Sequence, residues 1–233
     1  MNKIYTTKEQ ILSRAKEAFN LSISEIDKYG RLREGKGAIG KIIEESWFGI
    51  KPNNKAKPDF KEAGVELKVI PYKIIKNGEI RAKERLVCNI IDYTKENWSN
   101  FKKSSFFKKC KTILIMTYKH IPGEDKGNFK IDGAILFSFP KDELKQIKKD
   151  WKKISGKVKA GKAHKLSEKD TTYLAACTKA KNASKLREQP FSEKYAKQRA
   201  YALKQSYMTY ILNEYVFGNK KDSKVIRDVS EIK

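Results

Sequence analysis

The sequence predicts an α/β class of fold, with a mixed α+β sheet flanked by helices. Short apolar runs have the length and composition of strands, around Glu66 and at about 86–91, 112–118 and 133–139. Apolar residues recur at helical spacing in four other stretches, at about 7–19, 38–48, 142–154 and 207–217. Asn77-Gly78 predicts a hairpin, and therefore at least one antiparallel strand pair. With 233 residues, 39% of them hydrophobic, the chain can build one large domain or two lobes that share a core.

The limits of the helices follow from residues that cap or break them. Thr7 is a suitable cap for the first helix, and Gly49 would end the second. For the last helix, Ser206 is the expected cap and Gly218 the expected end. The highly charged segment 219–233 is expected to be a solvated tail or a linker.

Charge is the strongest compositional signal. The chain has 52 Lys and Arg residues against 28 Asp and Glu residues, a formal net charge of +24. An excess of this size predicts a polyanionic partner. The basic residues are spread from Lys51 to Lys224, so we expect them to cover a folded surface. No helix combines a wide apolar face with a basic one, and no lipidation signal is visible, which favours a nucleic acid over a membrane surface.

Several classes of protein fit the sequence poorly. There is no apolar run approaching eighteen residues and no apolar signal region at the start, so a cytoplasmic protein is expected. Cys88, Cys110 and Cys177 fit neither a disulfide framework nor a zinc site, and the first two are expected to be buried thiols. The only histidines, His120 and His164, are isolated in polar stretches, which disfavours a Cys/His or Ser/His nucleophile.

The stretch Lys-Pro-Asp-Phe-Lys-Glu-Ala-Gly-Val-Glu-Leu-Lys-Val-Ile (57–70) carries the candidate chemistry. Strand alternation puts Glu66 and Lys68 on one face and the apolar residues on the other. Gly64 permits a turn that would bring Asp59 back beside Glu66. Two neighbouring carboxylates repel each other unless a cation lies between them, and oxygen ligands suit Mg²⁺. With Lys68 placed to orient or help deprotonate a water, the pattern predicts metal-dependent hydrolysis of phosphodiesters.

An Asp/Glu-x-Lys triplet alone is weak evidence for this site. The chain contains eight such triplets, against about five expected by chance from its composition. Strict apolar alternation, a preceding glycine and an acid at hairpin distance distinguish residues 66–68 from the others. The pattern by itself still leaves open a solvated strand face without catalytic function.

A helix carboxylate is a further candidate. Glu44 and Glu45 follow an apolar pair in the second predicted helix, and either could reach the metal site. Their spacing does not choose between them, and an ordinary solvent-facing carboxylate is the alternative.

Several motifs together resemble the MutH family of mismatch-repair nicking endonucleases and GATC-specific type II restriction enzymes. The resemblance begins with Lys-Gly-Ala-Ile-Gly-Lys-Ile-Ile-Glu (36–44), Lys-Pro-Asp (57–59) and Gly-Val-Glu-Leu-Lys-Val-Ile-Pro (64–71). Further motifs follow in the family's order, at 150–151, 161–162, 173–174, 179–183 and 199–204. The similarity extends to about Gly218.

The resemblance implies a PD-(D/E)xK restriction-endonuclease-like fold with two lobes around a DNA cleft, a catalytic lobe of about 1–140 and a DNA-reading lobe of about 141–218. It implies that Asp59 and Glu66 bind the divalent metal and that Lys68 serves the attacking water. It also favours Glu44 over Glu45, and it matches Lys109 to a family lysine near the active site. The residues it implies near DNA are Lys36, Thr178, Lys179, Lys181 and Lys204.

One departure from the family pattern concerns base reading. Mismatch-repair members carry Arg-Pro after the Tyr-Leu pair, where this chain has Cys177-Thr178 before the shared Lys179. An arginine that could read a guanine edge is therefore missing. Thr178 and Lys179 could substitute for it, although Lys179 could equally contact a phosphate. This segment, with Tyr-Met-Thr (207–209), is similar to the restriction-enzyme branch, where a second, regulatory DNA-binding module can follow the nuclease module.

These observations predict a Mg²⁺-dependent endonuclease that cuts double-stranded DNA, a type II restriction enzyme acting at GATC and leaving 5′-phosphate ends. A strand-nicking mismatch-repair enzyme, a non-catalytic nucleic-acid-binding protein and a structural ribonucleoprotein component are the alternatives. A chain with one active site that cuts both strands must pair transiently on DNA or act twice.

Overall fold

In the computed structural model of the chain, the structure describes residues 4–35, 37–50, 57–179 and 186–232. The helices are α1 (Lys8–Lys16), α2 (Ile23–Ile26), α3 (Ala38–Ile42), α4 (Ser105–Cys110), α5 (Lys141–Lys159) and α6 (Gln205–Ile211). Two of them continue into π-helical turns, α3 into Ile43–Trp47 and α6 into Leu212–Val216.

The strands form a mixed sheet and two smaller sheets. The five-stranded sheet has the order β10 (Val225–Ile226), β5 (Ile131–Ser138), β4 (Thr112–Lys119), β1 (Glu66–Ile74) and β2 (Ile80–Ala82). Only β1 and β4 are parallel in it; the other neighbours are antiparallel. The three-stranded sheet has the order β3 (Leu86–Ile90), β9 (Arg199–Leu203) and β6 (Leu174–Thr178), and β7 (Leu186–Gln189) pairs with β8 (Ser192–Lys197). The predicted mixed sheet flanked by helices is confirmed.

Two hydrophobic clusters cover the two faces of the large sheet. One packs α1, α2 and α3 against β1, β4 and β5, with Leu67 and Leu114 among its buried residues. The other fills the space between the large sheet, α5, α6 and the three-stranded sheet, with Ile70, Ile113 and Tyr201 buried in it. Because strand residues alternate between faces, β1 contributes Leu67 to one cluster and Ile70 to the other. The strand that carries Glu66 and Lys68 is therefore held on both sides.

Several sequence predictions for local structure are confirmed. Thr7 caps α1 in a capping box with Gln10. The hairpin at Asn77-Gly78 joins β1 to β2, and Gly78 has the positive φ of +82° that such a turn needs. Cys88 and Cys110 are buried free thiols.

The ends of three helices differ from the prediction for tertiary reasons. The first ends at Lys16 rather than near residue 19, because Phe19 leaves the helix to bridge Ile131. The α5 helix runs five residues further than expected, since Val158 continues its buried face and the terminating glycine is Gly161, at φ +66°. The cap of α6 is Lys204 rather than Ser206.

The expectation of a solvated tail is wrong for residues 225–227, whereas most residues of 219–224 are exposed. Val225 is buried, and β10 pairs with β5 at the edge of the large sheet. Arg227 donates to the carbonyl oxygens of Tyr215 and Lys220, so this segment is fastened to the π-helical turn after α6.

The expected division into a catalytic lobe of about 1–140 and a DNA-reading lobe of about 141–218 does not follow the sheets. Strand β3 precedes residue 140 but pairs with β9, and β10 follows residue 140 but belongs to the large sheet.

Among the helices of the described ranges, none has the length and the apolar composition of a membrane-spanning segment.

Candidate active site

A short hairpin places Asp59 beside the start of β1. Phe60 and Val65 exchange both backbone hydrogen bonds, at 2.9 and 3.1 Å, and Gly64 makes the turn with φ +66°. The backbone N–H of Leu67 then donates to Asp59 Oδ2 at 3.0 Å. The carboxylate of Asp59 is thereby held against the strand, one residue from Glu66, as the position of the glycine predicts.

Glu66 is almost completely buried, with 1% of its surface exposed. Its Oε1 accepts a hydrogen bond from Lys68 Nζ at 2.5 Å and lies 3.4 Å from Lys109 Nζ. Its Oε2 is buried and has no hydrogen-bond partner among the described residues. Burial raises the pKa of Glu66, and the charge of Asp59 adds to the rise, while Lys68 opposes it. A buried carboxylate oxygen without a donor is costly, so this atom is a candidate ligand for a cation.

Two lysines approach Glu66 from different elements. Lys68 lies two residues further along β1, and Lys109 lies in α4, which leads into the neighbouring strand β4. Burial acts to lower the pKa of Lys68, but the charge of Glu66, its hydrogen bond to Lys68 and other nearby negative charge together outweigh burial, and the pKa is raised. Lys68 therefore keeps its proton at neutral pH.

The π-helical turn after α3 separates the two helix carboxylates. Burial raises the pKa of Glu44 to about 7, and the nearby charge of Asp59 adds to the rise. Glu45 instead forms an ion pair with Arg31, whose Nη2 lies 2.7 Å from Glu45 Oε2. The structure thus places Glu44 near Asp59 and Glu66, and it gives Glu45 a partner elsewhere. π-helical turns of this kind recur at functional sites.

The donor set fits a hard divalent cation. Asp59 and Glu66 offer oxygen ligands on one surface, and the partnerless Oε2 of Glu66 is available for one. Across the part of the chain that the structure describes, no group of three or more His, Cys, Asp or Glu side chains has the geometry of a metal site. Mg²⁺ usually keeps several waters and needs only one or two protein carboxylates, so a two-carboxylate site suits it.

Three of the predicted DNA-binding residues, Thr178, Lys179 and Lys204, lie at the ends of strands of the three-stranded sheet. Thr178 and Lys179 are exposed at the end of β6, where the backbone of Lys179 is held by Gln198 through hydrogen bonds of 3.0 and 2.7 Å. Lys204 is half-buried, and its ammonium group donates to the carbonyl oxygen of Thr171. Lys36 and Lys181 lie outside the described residues.

Two residues of this second region, Asp150 and Arg199, lie in motifs of the family resemblance, but no role was predicted for either of them from the sequence. Asp150 is fully buried on α5, and its carboxylate accepts from Gln146 Nε2 and from three backbone N–H groups, those of Thr172, Tyr173 and Leu174. Arg199, paired with Thr178 in the sheet, donates to the carbonyl oxygens of Ala176 and Leu166. An acid on the apolar face of a helix, between Ile147 and Ile154, is a signal that could have drawn attention to Asp150.

Comparisons with known proteins identify a family and several relatives. Residues 48–150 match the model of the family described as "DNA mismatch repair enzyme MutH", a segment that contains Asp59, Glu66, Lys68 and Lys109. The "Type II restriction enzyme Sau3AI" of Staphylococcus aureus is 46% identical over 98% of this chain, which spans 47% of that protein's length. The "DNA mismatch repair protein MutH" of Shewanella woodyi is 28% identical over 76% of this chain and 77% of its own.

A more distant mismatch-repair relative and one solved structure were also found. The "DNA mismatch repair protein MutH" of Vibrio cholerae is 27% identical over 78% of this chain and 83% of its own. A solved structure titled "Restriction endonuclease MvaI-cognate DNA substrate complex" superposes with a TM-score of 0.41 and 11% identity, covering 86% of this chain and 94% of that one.

Proposed function

Since this chain carries a domain of the MutH family, as its sequence motifs indicate, we propose that it is a type II restriction endonuclease. Its substrate would be double-stranded DNA cut at GATC sites, in a Mg²⁺-dependent reaction that leaves 5′-phosphate and 3′-hydroxyl ends. The observation that carries the proposal is the cluster at the start of β1. There, a buried Glu66 with an unpartnered oxygen lies beside a fixed Asp59 and two lysines.

The net charge of +24 supports DNA as the partner, because a polyanion is bound by releasing its counterions. The similarity to a restriction enzyme runs along nearly the whole chain, whereas the similarity to mismatch-repair proteins is weaker. This difference favours double-strand cleavage over nicking.

Asp59 and Glu66 are the residues that would hold the cation. When bound there, Mg²⁺ would supply Lewis-acid activation of the scissile phosphate and of the attacking water. Lys68 retains its proton because its pKa is raised. Its proposed role is therefore to orient the water and to offset negative charge on the phosphate, rather than to remove a proton.

Glu44 and Lys109 complete the proposed arrangement. A carboxyl with a pKa of about 7 can accept a proton from water near neutral pH, which suits Glu44 to a general base. Lys109 brings a second positive charge to within 3.4 Å of Glu66 Oε1, so it can stabilise charge that develops on the phosphate.

The proposed contacts to DNA come from the three-stranded sheet and its surroundings. Thr178 and Lys179 are exposed and available for a base edge or a phosphate. Lys36 and Lys181 are proposed from the family resemblance. Lys204, with its ammonium on the Thr171 carbonyl, is better suited to shaping the start of β6 than to direct contact.

The proposal is tested by incubating the protein with a plasmid that contains GATC sites, first with Mg²⁺ and then with EDTA. We expect discrete fragments that appear only with Mg²⁺. Nicked circles would indicate a strand-selective nickase, and an intact plasmid that is nevertheless bound would indicate a non-catalytic binding protein. A dependence of double-strand cleavage on protein concentration would favour transient pairing of two chains over two successive cuts by one chain.

The Glu66→Ala variant tests the site itself. It should abolish cleavage but preserve DNA binding, or even strengthen it, because a negative charge is removed. Glu62→Ala is the matched control, since Glu62 is an exposed acid in the same hairpin, and it should cut at the normal rate. Mg²⁺-dependent cutting by Glu66→Ala would exclude the proposed site.

A further inference from the structure

A broad depression lies on the surface next to the candidate active site. It has a volume of about 760 Å³, and four lysines line it, Lys57, Lys95, Lys103 and Lys108. All four side chains are exposed, and they come from three separate parts of the chain. We call this depression the lysine pocket. Its lysines do not belong to the set that the sequence motifs suggest for catalysis or DNA contact.

The positive charge of the lysine pocket exceeds the negative charge in its lining. Four lysines line it against one acidic residue, Glu96, whose carboxylate also receives hydrogen bonds from neighbouring groups. Oε1 accepts from the backbone N–H groups of Asn97 and Ser105 at 2.8 and 2.9 Å, and Oε2 accepts from the Ser105 hydroxyl. In the described ranges, the lysines that form ion pairs are others, namely Lys16, Lys41, Lys68, Lys109, Lys145 and Lys157.

The lysine pocket adjoins the candidate active site at two places along the chain. Lys57 and Pro58 line the pocket, and the next residue is Asp59. Lys108 also lines it, and the next residue is Lys109, whose Nζ approaches Glu66. A DNA strand that presents one phosphate to Asp59 and Glu66 would therefore place its neighbouring phosphates beside the lysines of the pocket.

We propose that the lysine pocket binds the phosphates of the DNA strand that is cut, on one side of the scissile bond. The inference rests on the proposed nuclease function. The breadth of the pocket and the separation of its lysines favour several phosphates of one backbone over a single phosphate ion. Lysine acts as a compact point charge without the planar fork of arginine, so these contacts position the strand and do not read its sequence.

The first test measures binding of a duplex containing GATC, by fluorescence anisotropy in EDTA at several salt concentrations. The variant is Lys95→Ala/Lys103→Ala. The control, Lys149→Ala/Lys152→Ala, removes the same charge from the exposed surface of α5. Each lost phosphate contact should reduce the slope of log K against log salt by about 0.9, so the variant should lose about 2 from its slope. The control should keep the wild-type slope.

The second test replaces single phosphates of the duplex by neutral methylphosphonates. In the wild-type protein, we expect weaker binding for one or two substitutions just to one side of the scissile bond. In Lys95→Ala/Lys103→Ala, the same substitutions should have no further effect, because the contact is already absent. Inorganic phosphate and a dinucleotide serve as competitors, and displacement of the duplex by millimolar phosphate alone would assign the pocket to a free anion.

Equal effects of a methylphosphonate in the wild type and the variant would overturn the proposal, as would equal changes of slope in the variant and its control. A wild-type protein that binds no duplex would overturn it too. Because both measurements are made in EDTA, they do not require cleavage. Failure of the nuclease assignment, seen as an intact plasmid with Mg²⁺, is therefore distinguishable from failure of the lysine pocket.

Discussion

Two buried carboxylates of this protein differ in how fully they are hydrogen-bonded, Glu66 in the candidate active site and Asp150 on α5, beside the three-stranded sheet. At the start of β1, Glu66 is buried with one oxygen that has no donor, and its pKa is raised. On α5, the carboxylate of Asp150 is also fully buried, but it receives hydrogen bonds from three backbone N–H groups and from the side-chain amide of Gln146. The comparison separates a charge that is incompletely satisfied, as a ligand site must be, from one that serves as structure.

The largest expected effect is on catalysis by Asp59. In Asp59→Asn, the amide oxygen can still accept from the Leu67 N–H, so the hairpin should persist while the charge that would hold a cation is lost. We expect cleavage to fall by about a thousandfold and stability to stay near that of the wild type. Asp59→Ala should lose the same activity and a further 1–2 kcal/mol of stability, since a charge-assisted hydrogen bond disappears. Single-turnover cleavage and urea unfolding measure the two effects, and nearly normal cleavage by Asp59→Asn would exclude Asp59 as a ligand.

The next effect is on stability and concerns Asp150. Asp150→Ala removes the acceptor of three backbone N–H groups in a buried place, and we expect a loss of about 3–4 kcal/mol in the free energy of unfolding. The control is Asp142→Ala on the same helix, whose side chain is exposed and should cost less than about 1 kcal/mol. Similar losses in both variants, measured by urea unfolding, would show that Asp150 does not have the structural role that its contacts indicate.

The sequence predicted the start of β1 better than the surrounding surfaces, because the information there is local. Asp59, Gly64 and Glu66 lie within eight residues, and strand alternation with one positive-φ glycine determines their relation. The choice between Glu44 and Glu45 could not be made in this way, since it depends on Arg31 and on a π-helical turn.

Contacts between distant segments account for the predictions that were wrong. The segment 219–232 is rich in charge, yet the unpaired edge of β5 takes up Val225 and Ile226 as a strand. The last helix begins after Lys204 rather than at Ser206, because β9 ends at Leu203 and α6 follows directly. In both places, a strand distant in the sequence determines the local structure, and composition and capping preferences cannot predict that contact.

The pH dependence of stability tests the carboxylates of the candidate active site. Folding raises the pKa of Glu44 to about 7, so the native state binds this proton more tightly than the unfolded state does. The associated stability is complete below the unfolded pKa of about 4.5 and is lost as the pH rises through about 7. In EDTA, the free energy of unfolding should therefore fall by about 3 kcal/mol across this range, and the raised pKa of Glu66 should contribute in the same direction.

Glu44→Gln separates these contributions. Without the titrating carboxyl at position 44, the decline in stability between about pH 4.5 and 7 should flatten. Glu45→Gln is the matched control, one residue away in an ion pair with Arg31, and it should keep the wild-type decline. An unchanged decline in Glu44→Gln would mean that Glu44 does not face the carboxylates of β1.

The smallest expected effect concerns the turn that brings Asp59 to Glu66. Gly64 has φ +66°, and a Cβ there would meet the side chain of Lys111 at 3.5 Å, an ordinary contact. The cost of Gly64→Ala should therefore come from the backbone alone, about 1 kcal/mol. Gly156→Ala is the opposite case, since Gly156 lies within α5 with open space around it and should gain about 0.5–1 kcal/mol. Cleavage should decrease several-fold in Gly64→Ala, because this substitution shifts the hairpin, and it should stay unchanged in Gly156→Ala. Equal stability and equal cleavage in the two variants would show that the approach of Asp59 to Glu66 does not depend on Gly64.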